Sequence, residues 1–362
     1  MGNVLSCPDR KVIVKIDYQF CLSSYLVFRY VAKPEYSWTG EVLPSFPDAM
    51  AQKGIRVSNS DEVLEQLQHT VKENVDYKTT AVLLSAGMDS AIIAGLMPQG
   101  TKAYTIRFEA DDAIDEAPAA RIVADALGLD HRVVTVTWDD YVKNIDLLMK
   151  HKKAPLHPAE VGLFVAAQVA KNDGIKVLAV GNGADSTFGG MDKLLLKDWT
   201  FDDFVTRYTF LDPKKVLQFP VSMNDIFEPY RLDNGFDVMG FLKIVHGLGI
   251  IQMFENAIHA AGCSLIAPFE ELSLAVPIDF DRIRRGEPKY ILKEVFEQVC
   301  PGFEIPSKIP FARPVNQWFA GWLGPSRSEF LTDIDINQFS GEQKWQMYCL
   351  ERFLNLLDSG AI

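Results

Sequence analysis

Two short segments carry the residue types that chemistry on an anionic ligand requires. The first reads Leu83-Leu84-Ser85-Ala86-Gly87-Met88-Asp89-Ser90. It follows a short apolar run and opens an expected helix. The small residues Ser85, Ala86 and Gly87 let the backbone approach an anion, and successive N–H groups at the positive end of a helix form a cradle for it. The hydroxyls of Ser85 and Ser90 add donors. Asp89 is itself negative, and a divalent cation between it and bound phosphates removes that conflict. The GK[ST] ending of a Walker A loop is missing. The plain alternative is a tight strand–helix turn with a capping Asp. The second segment, Gly181-Asn182-Gly183-Ala184-Asp185-Ser186-Thr187-Phe188-Gly189-Gly190, is rich in glycine and contains a single acid. Its plain alternative is a glycine-rich surface loop.

The flanking pattern says what positions these segments. A helix is expected from Ser60, read as its N-cap, with Val63, Leu64, Leu67 and Val71 on one face. From residue 80 the pattern alternates. Strands are expected at 81–84, 103–108, 132–136 and 176–180, and helices at 91–96, 116–127, 141–149 and 159–171. Such alternation predicts an α/β fold, a parallel twisted sheet with helices on both faces. Ligands in such sheets sit at the carboxyl ends of the strands, where both segments fall. Beyond about residue 200 the strand signal fades into helices and loops. The expected organisation is a lead-in over 1–55 that packs on the α/β core, the core itself over 56–200 and a mainly helical part over 201–362.

Composition narrows the function classes. The net charge of -12 disfavours a nucleic-acid partner. No apolar run approaches the roughly 20 residues of a membrane span, and the first ten residues lack the pattern of a signal peptide. The chain reads as soluble and cytoplasmic. Cys7, Cys21, Cys263, Cys300 and Cys349 form no CxxC pair, so zinc or dithiol chemistry is not expected and the thiols read as buried and reduced.

The first segment is similar to the SGGxDS pyrophosphate loop of the N-type ATP pyrophosphatases, with Ala86 in place of a glycine. Several families share that loop. The order Thr105-Ile106-Arg107-Phe108, Asp115-Glu116, Ala120-Arg121-Ile122-Val123-Ala124 and Leu127-Gly128-Leu129-Asp130-His131 resembles the asparagine synthetase family. The second segment resembles that family's SGEGADELFGGY loop. Pro268-Phe269 ends a stretch similar to GVExRxPFLD, and Ile305-Pro306-Ser307-Lys308-Ile309-Pro310-Phe311 resembles a lysine-bearing loop. The resemblance is collinear over about residues 20–325. It implies a PP-loop fold of the adenine nucleotide alpha-hydrolase type, with ATP and Mg²⁺ as cofactors.

The same resemblance implies roles. Leu84 and Ile106 hold adenine through their backbone. Ser85, Ala86, Gly87, Asp89, Ser90 and Gly181 hold the phosphates. Asp89 and Asp185 bind Mg²⁺. Lys308 steadies charge on phosphate and on the tetrahedral intermediate. Lys289 could reach phosphate, although a surface position on a helix is an equal reading. Asp115 and Glu116 read as an acidic helix start favoured by the dipole rather than as catalytic groups.

The implied reaction is a ligase's. A substrate carboxylate is activated as an acyl-adenylate with release of pyrophosphate, and an amine or ammonia then attacks. Intramolecular closure, as in β-lactam synthetase, is the variant reading. A thiolating or tRNA-modifying ATP pyrophosphatase and a non-catalytic nucleotide-binding relative are the competitors. The sequence departs from the family at Asn182, Ser186, Glu255-Asn256, Ser264 and Ile266. Ser264 stands where the family has a glutamate, and Glu255, Glu270, Glu271 or a tyrosine could take its place. The glutaminase half, which needs a cysteine at the mature N-terminus, is expected to be absent, since Met1-Gly2 begins this sequence. Ammonia, a separate glutaminase subunit or an amine-bearing substrate would then supply nitrogen.

Overall fold

The computed structural model describes residues 14–41, 54–111, 113–304 and 313–362. The elements used below are, in order, α1 (Tyr18–Phe28), α2 (Ser60–Asn74), β1 (Thr80–Leu83), α3 (Met88–Gly95), β2 (Lys102–Phe108), α4 (Ala117–Ala126), β3 (Asp130–Val136), α5 (Trp138–Lys152), α6 (Glu160–Asn172), β4 (Val177–Ala179), α7 (Gly247–Ala260), β5 (Ser264–Ile266), α8 (Tyr290–Val299) and α9 (Gly341–Asp358), with further helices, among them Phe201–Tyr208, and short strands between them.

Local chemistry accounts for the helix starts. The Thr137 hydroxyl accepts from the Asp140 N–H while the Asp140 side chain accepts from the Thr137 N–H, a reciprocal cap on α5. Ser340 and Gln343 cap α9 in the same way. The N-cap of α2 is Asn59, whose side chain accepts from the Glu62 N–H, and Ser60 is the first helical residue. The cap expected at Ser60 is therefore one position late: Asn59 is the residue with extended backbone, and its side chain reaches the orphan amide.

The five strands form one sheet in the order β5-β4-β1-β2-β3, and every pairing is parallel. Side chains alternate between its faces. Ala81, Leu83, Tyr104, Ile106 and Phe108 join the core under α1, α5, α6, α7 and α9. Val82, Leu84 and Ala103 join the core under α2, α3, α4 and α8. The central strand β1 is buried throughout and reads as an apolar run after Thr80, whereas the edge strand β3 keeps exposed polar positions between buried ones.

The edge strand β5 comes from beyond residue 200, in a stretch read as helices and loops. Three residues are too few for a periodic signal, and β5 exists because β4 supplies its partner, with Leu265 opposite Leu178. The apolar segment 21–31 is largely α1, with seven buried apolar or aromatic side chains from Phe20 to Phe28. Cys21, Cys263, Cys300 and Cys349 are buried free thiols. One helical stretch, Val238–Ala260, does reach membrane-span length with mean hydropathy 1.3. Its second half, α7, packs on α5, α6 and β5, and 39% of the apolar window is buried in the fold.

A buried ionic network ties α1, α5, α6 and α9 together. Glu160, at the start of α6 and wholly buried, accepts from Lys152 Nζ (2.5 Å), the His157 N–H (2.6 Å) and Asn256 Nδ2 (2.6 Å). Arg29 bonds His157 and Glu342, and Arg313 pairs with Glu342 as well. Burial and the surrounding Arg29, Arg313 and Lys152 charges hold His157 well below the ordinary histidine value, so it is neutral.

Candidate active site

The chain runs β1, β2, β3 to one side of the sheet and then returns to place β4 on the other side of β1. The carboxyl ends of β1 and β4 thus flank the point where strand order reverses, which leaves a crevice. Loop 85–90 leaves β1 there, and loop 181–190 leaves β4 beside it.

Loop 85–90 is wound on itself. The Ser85 N–H donates to Ser90 Oγ (3.0 Å), and the Gly87 N–H donates to Ser85 Oγ (3.1 Å). The two hydroxyls are 2.8 Å apart, and the single Ser90 Oγ–H has the carbonyls of Ser85 (3.2 Å) and Gly87 (3.0 Å) as alternative acceptors. Ser85 and Ser90 therefore shape the loop as well as offering donors. The Ala86 N–H donates to Glu116 Oε2 (3.0 Å), a side chain only 8% exposed. Burial pushes the Glu116 carboxyl up, the Ala86 N–H opposes that, and Asp115 adds to it. Glu116 is thus brought onto the cradle, beyond the helix-start role read from its position. The signal that could have found it is its place just after β2, at the same end of the sheet.

Loop 181–190 closes against the first loop. A Cβ at Gly181 would lie 2.8 Å from the Asp89 carbonyl carbon and the Ser90 nitrogen. At Gly183, where φ is +94°, it would meet the backbone of Phe269 and Glu270 at 2.8–2.9 Å. At Gly190 it would collide with Asp185 Oδ1 and Lys289 Cε. Only glycine at 181 and 190 allows the two loops and Lys289 to meet.

Lys289 is the centre of the arrangement. Its Nζ is 2.5 Å from Asp89 Oδ2 and 2.6 Å from Asp185 Oδ1, and the residue is 8% exposed. It caps α8 with φ 55° and ψ 35°, a left-handed conformation that a non-glycine residue adopts at a cost. Burial works against its charge, but Asp89 and Asp185 outweigh it and hold the ammonium above the ordinary lysine value. The surface alternative for Lys289 is thus set aside by its burial.

Asp89 and Asp185 converge on one cation, which is the donor chemistry a hard divalent ion uses, together with waters and phosphate oxygens. Among the described residues no group of three His, Cys, Asp or Glu side chains gathers as a metal site. The pair would have to be completed by ligand oxygens, with Lys289 turning toward phosphate.

Leu84 lies at the end of β1. Its N–H donates to the Tyr104 carbonyl (2.9 Å) and its carbonyl accepts from Thr105 Oγ1 (2.6 Å). Ile106 sits within β2 opposite Val134. An open groove at the carboxyl end of β2 is lined by Phe108, Glu109, Asp115 and Thr135 among others, and neither Leu84 nor Ile106 is part of its lining. Lys308 lies outside the described residues. Arg313, the first described residue after it, is anchored on Glu342.

A second cluster adjoins the glycine turn. Asn182 Nδ2 donates to Glu270 Oε1 (2.5 Å). Glu270 follows β5 in a single 3-10 turn, Pro268–Glu271. Burial and the Glu255 carboxylate push its carboxyl up to about 7, against the pull of Lys243. Lys243 stands on a π-helical turn, Leu242–His246, a rare conformation found often at functional sites. Glu271 is exposed and accepts from the Thr70 hydroxyl (2.9 Å), so it faces α2 instead. Ser264, at the amino end of β5, is exposed.

The asparagine synthase family model matches residues 62–231. The chain is similar to Amidase chry2 of Gibberella zeae, 29% identical over 170 residues, covering 41% of this chain and 25% of that one. It is similar to asparagine synthetase [glutamine-hydrolyzing] of Sandersonia aurantiaca, 28% identical over 170 residues, covering 42% of this chain and 30% of that one. The aligned part is thus between a quarter and a third of the length of these relatives. Among solved structures, the NH3-dependent NAD synthetase from Campylobacter jejuni matches with 16% identity and a TM-score of 0.24, covering 36% of this chain and 58% of that one.

Proposed function

We propose, from the match of the asparagine synthase family model to residues 62–231, that the chain is an ATP-dependent, AMP-forming carbon–nitrogen ligase. The observation that carries this reading is the meeting of loop 85–90, Asp89, Asp185 and Lys289 at the switch point of a parallel sheet. Adenine lies on the backbone of Leu84 and Ile106. The polyphosphate lies on loop 85–90, with Gly181 closing the far side. On nucleotide entry the Lys289 ammonium turns from the carboxylates to the phosphates, where its charge offsets theirs. Asp89 and Asp185 would hold Mg²⁺, which would supply charge screening for the phosphates.

A substrate carboxylate oxygen attacks the α-phosphorus, pyrophosphate departs, and an acyl-adenylate remains. An amine nitrogen attacks its carbonyl carbon and AMP departs. Lys308 steadies the oxyanion of the second step. Similarity to proteins named an amidase and an asparagine synthetase supports amide chemistry on a small carboxylate. The departures at Asn182, Ser186 and Glu255 support a substrate other than aspartate. The attacking nitrogen is that of ammonia or of a substrate amine.

The test is product analysis with ATP, Mg²⁺ and a panel of amino-acid carboxylates, with and without ammonium. Substrate-dependent AMP and pyrophosphate are expected. ADP and phosphate would refute the adenylate route, and turnover without ammonium would assign the amine to the substrate itself.

A further inference from the structure

Glu270 and Asp89 lie on opposite sides of one tight turn. Gly181 packs on the backbone of Asp89 and Ser90, and Gly183 packs on the backbone of Phe269 and Glu270. Two residues of chain span at most about 7 Å, so the Glu270 backbone lies one short turn away from loop 85–90. Asn182, between the two glycines, donates to Glu270 Oε1 and orients the carboxyl. The helical segment before β5 brings two more charges to this end of the sheet, Lys243 on the π-helical turn and Glu255 on α7. Glu255 and Glu270 are half-buried and Lys243 is exposed, so the cluster opens to solvent. Two carboxylates beside one ammonium offer acceptors for the N–H groups of a neutral amine.

We infer that Glu270 is the catalytic residue that accepts a proton from the attacking amine, with Asn182 as its positioning residue. The inference rests on the ligase reading. In the step, the amine nitrogen bonds to the acyl carbon, the bond from that carbon to the AMP oxygen breaks, and the proton from nitrogen passes to the Glu270 carboxylate. Lys243 on the π-helical turn and Glu255 on α7 face Glu270 with opposing effects, and Asn182 on loop 181–190 is neutral. Burial and Glu255 bring Glu270 to about 7, where a carboxylate is basic enough to take the proton near neutral pH.

The experiment compares the full chain with its Glu270→Gln and Glu270→Asp variants in two assays. Substrate-dependent ATP–pyrophosphate exchange reads the first step, using the amino-acid carboxylate that supports it best. Amide formation with ammonium reads both steps. Glu270→Gln is expected to lower amide formation tenfold or more while exchange falls far less, to flatten the rise of rate through pH 7, and to be partly rescued by Glu270→Asp. Equal loss of both activities, or unchanged amide formation, overturns the inference and leaves the ligase reading standing. Absence of exchange in the wild-type chain overturns the ligase reading and this step with it.

Discussion

Lys289 Nζ lies 2.5 Å from Asp89 Oδ2, across 200 residues of sequence. The contact joins the cap of α8 to the start of α3 and closes the crevice between β1 and β4. It also sets up a competition, since the ammonium occupies the point on which Asp89 and Asp185 converge.

Replacing Lys289 by Met is expected to leave two carboxylates facing each other without the ammonium. Asp89 and Asp185 keep some solvent, with side chains 22% and 37% exposed, so the cost is set at roughly 1–3 kcal/mol, below the full value for a broken buried pair. Chemical denaturation measures it. Mg²⁺ should restore part of the lost stability in Lys289→Met, and none when Asp185→Asn is added. Equal responses in both variants would show that the carboxylates do not hold the ion.

At Gly181 the added methyl of Gly181→Ala would sit 2.8 Å from backbone atoms of Asp89 and Ser90, which no side-chain rotation can relieve. The expected outcome is a folded chain whose Mg-ATP affinity falls tenfold or more, read by calorimetry. Undiminished affinity would place the nucleotide elsewhere.

Glu116 accepts from the Ala86 N–H of loop 85–90, where the ligase reading places phosphate. Glu116→Gln keeps an acceptor for the Ala86 N–H and removes the carboxylate charge. At about 6 Å and an effective dielectric near 20 the charge opposes a phosphate by about 2–3 kcal/mol before salt screening. Pyrophosphate affinity is therefore expected to rise several-fold. A fall instead would assign Glu116 to the cation rather than the cradle.

Glu270 makes stability pH-dependent. Its folded value of about 7 exceeds the ordinary glutamate value. Between the two the folded chain binds the proton more tightly, so stability falls as pH rises through that window. Glu270→Gln removes the effect and should be stabilised relative to wild type by on the order of 2 kcal/mol at pH 8, and by almost nothing at pH 4. Urea melts at the two pH values check this, and an equal offset at both would contradict it.

Lys308 tests the ligase reading directly. Lys308→Ala is expected to keep Mg-ATP binding and lose amide formation by on the order of a hundredfold. Wild-type turnover in the variant would remove Lys308 from the reaction.

What the chain's own sequence determined is the material of the crevice. The small-residue turns at 85–90 and 181–190 and the strand–helix alternation depend on contacts within a few residues, so they are legible locally. The parallel sheet follows from that alternation, and with it the rule that both loops share one end. Only the tertiary structure decided which groups meet there. Lys289 on a helix start, Glu116 before a helix and Glu270 after a three-residue strand each have an ordinary local reading. Their pairings span 200 residues for Lys289 with Asp89, 30 for Glu116 with Ala86 and 88 for Glu270 with Asn182. Such contacts are set by strand order and by glycines that let loops touch, and no local pattern encodes the distance between groups so far apart in the chain.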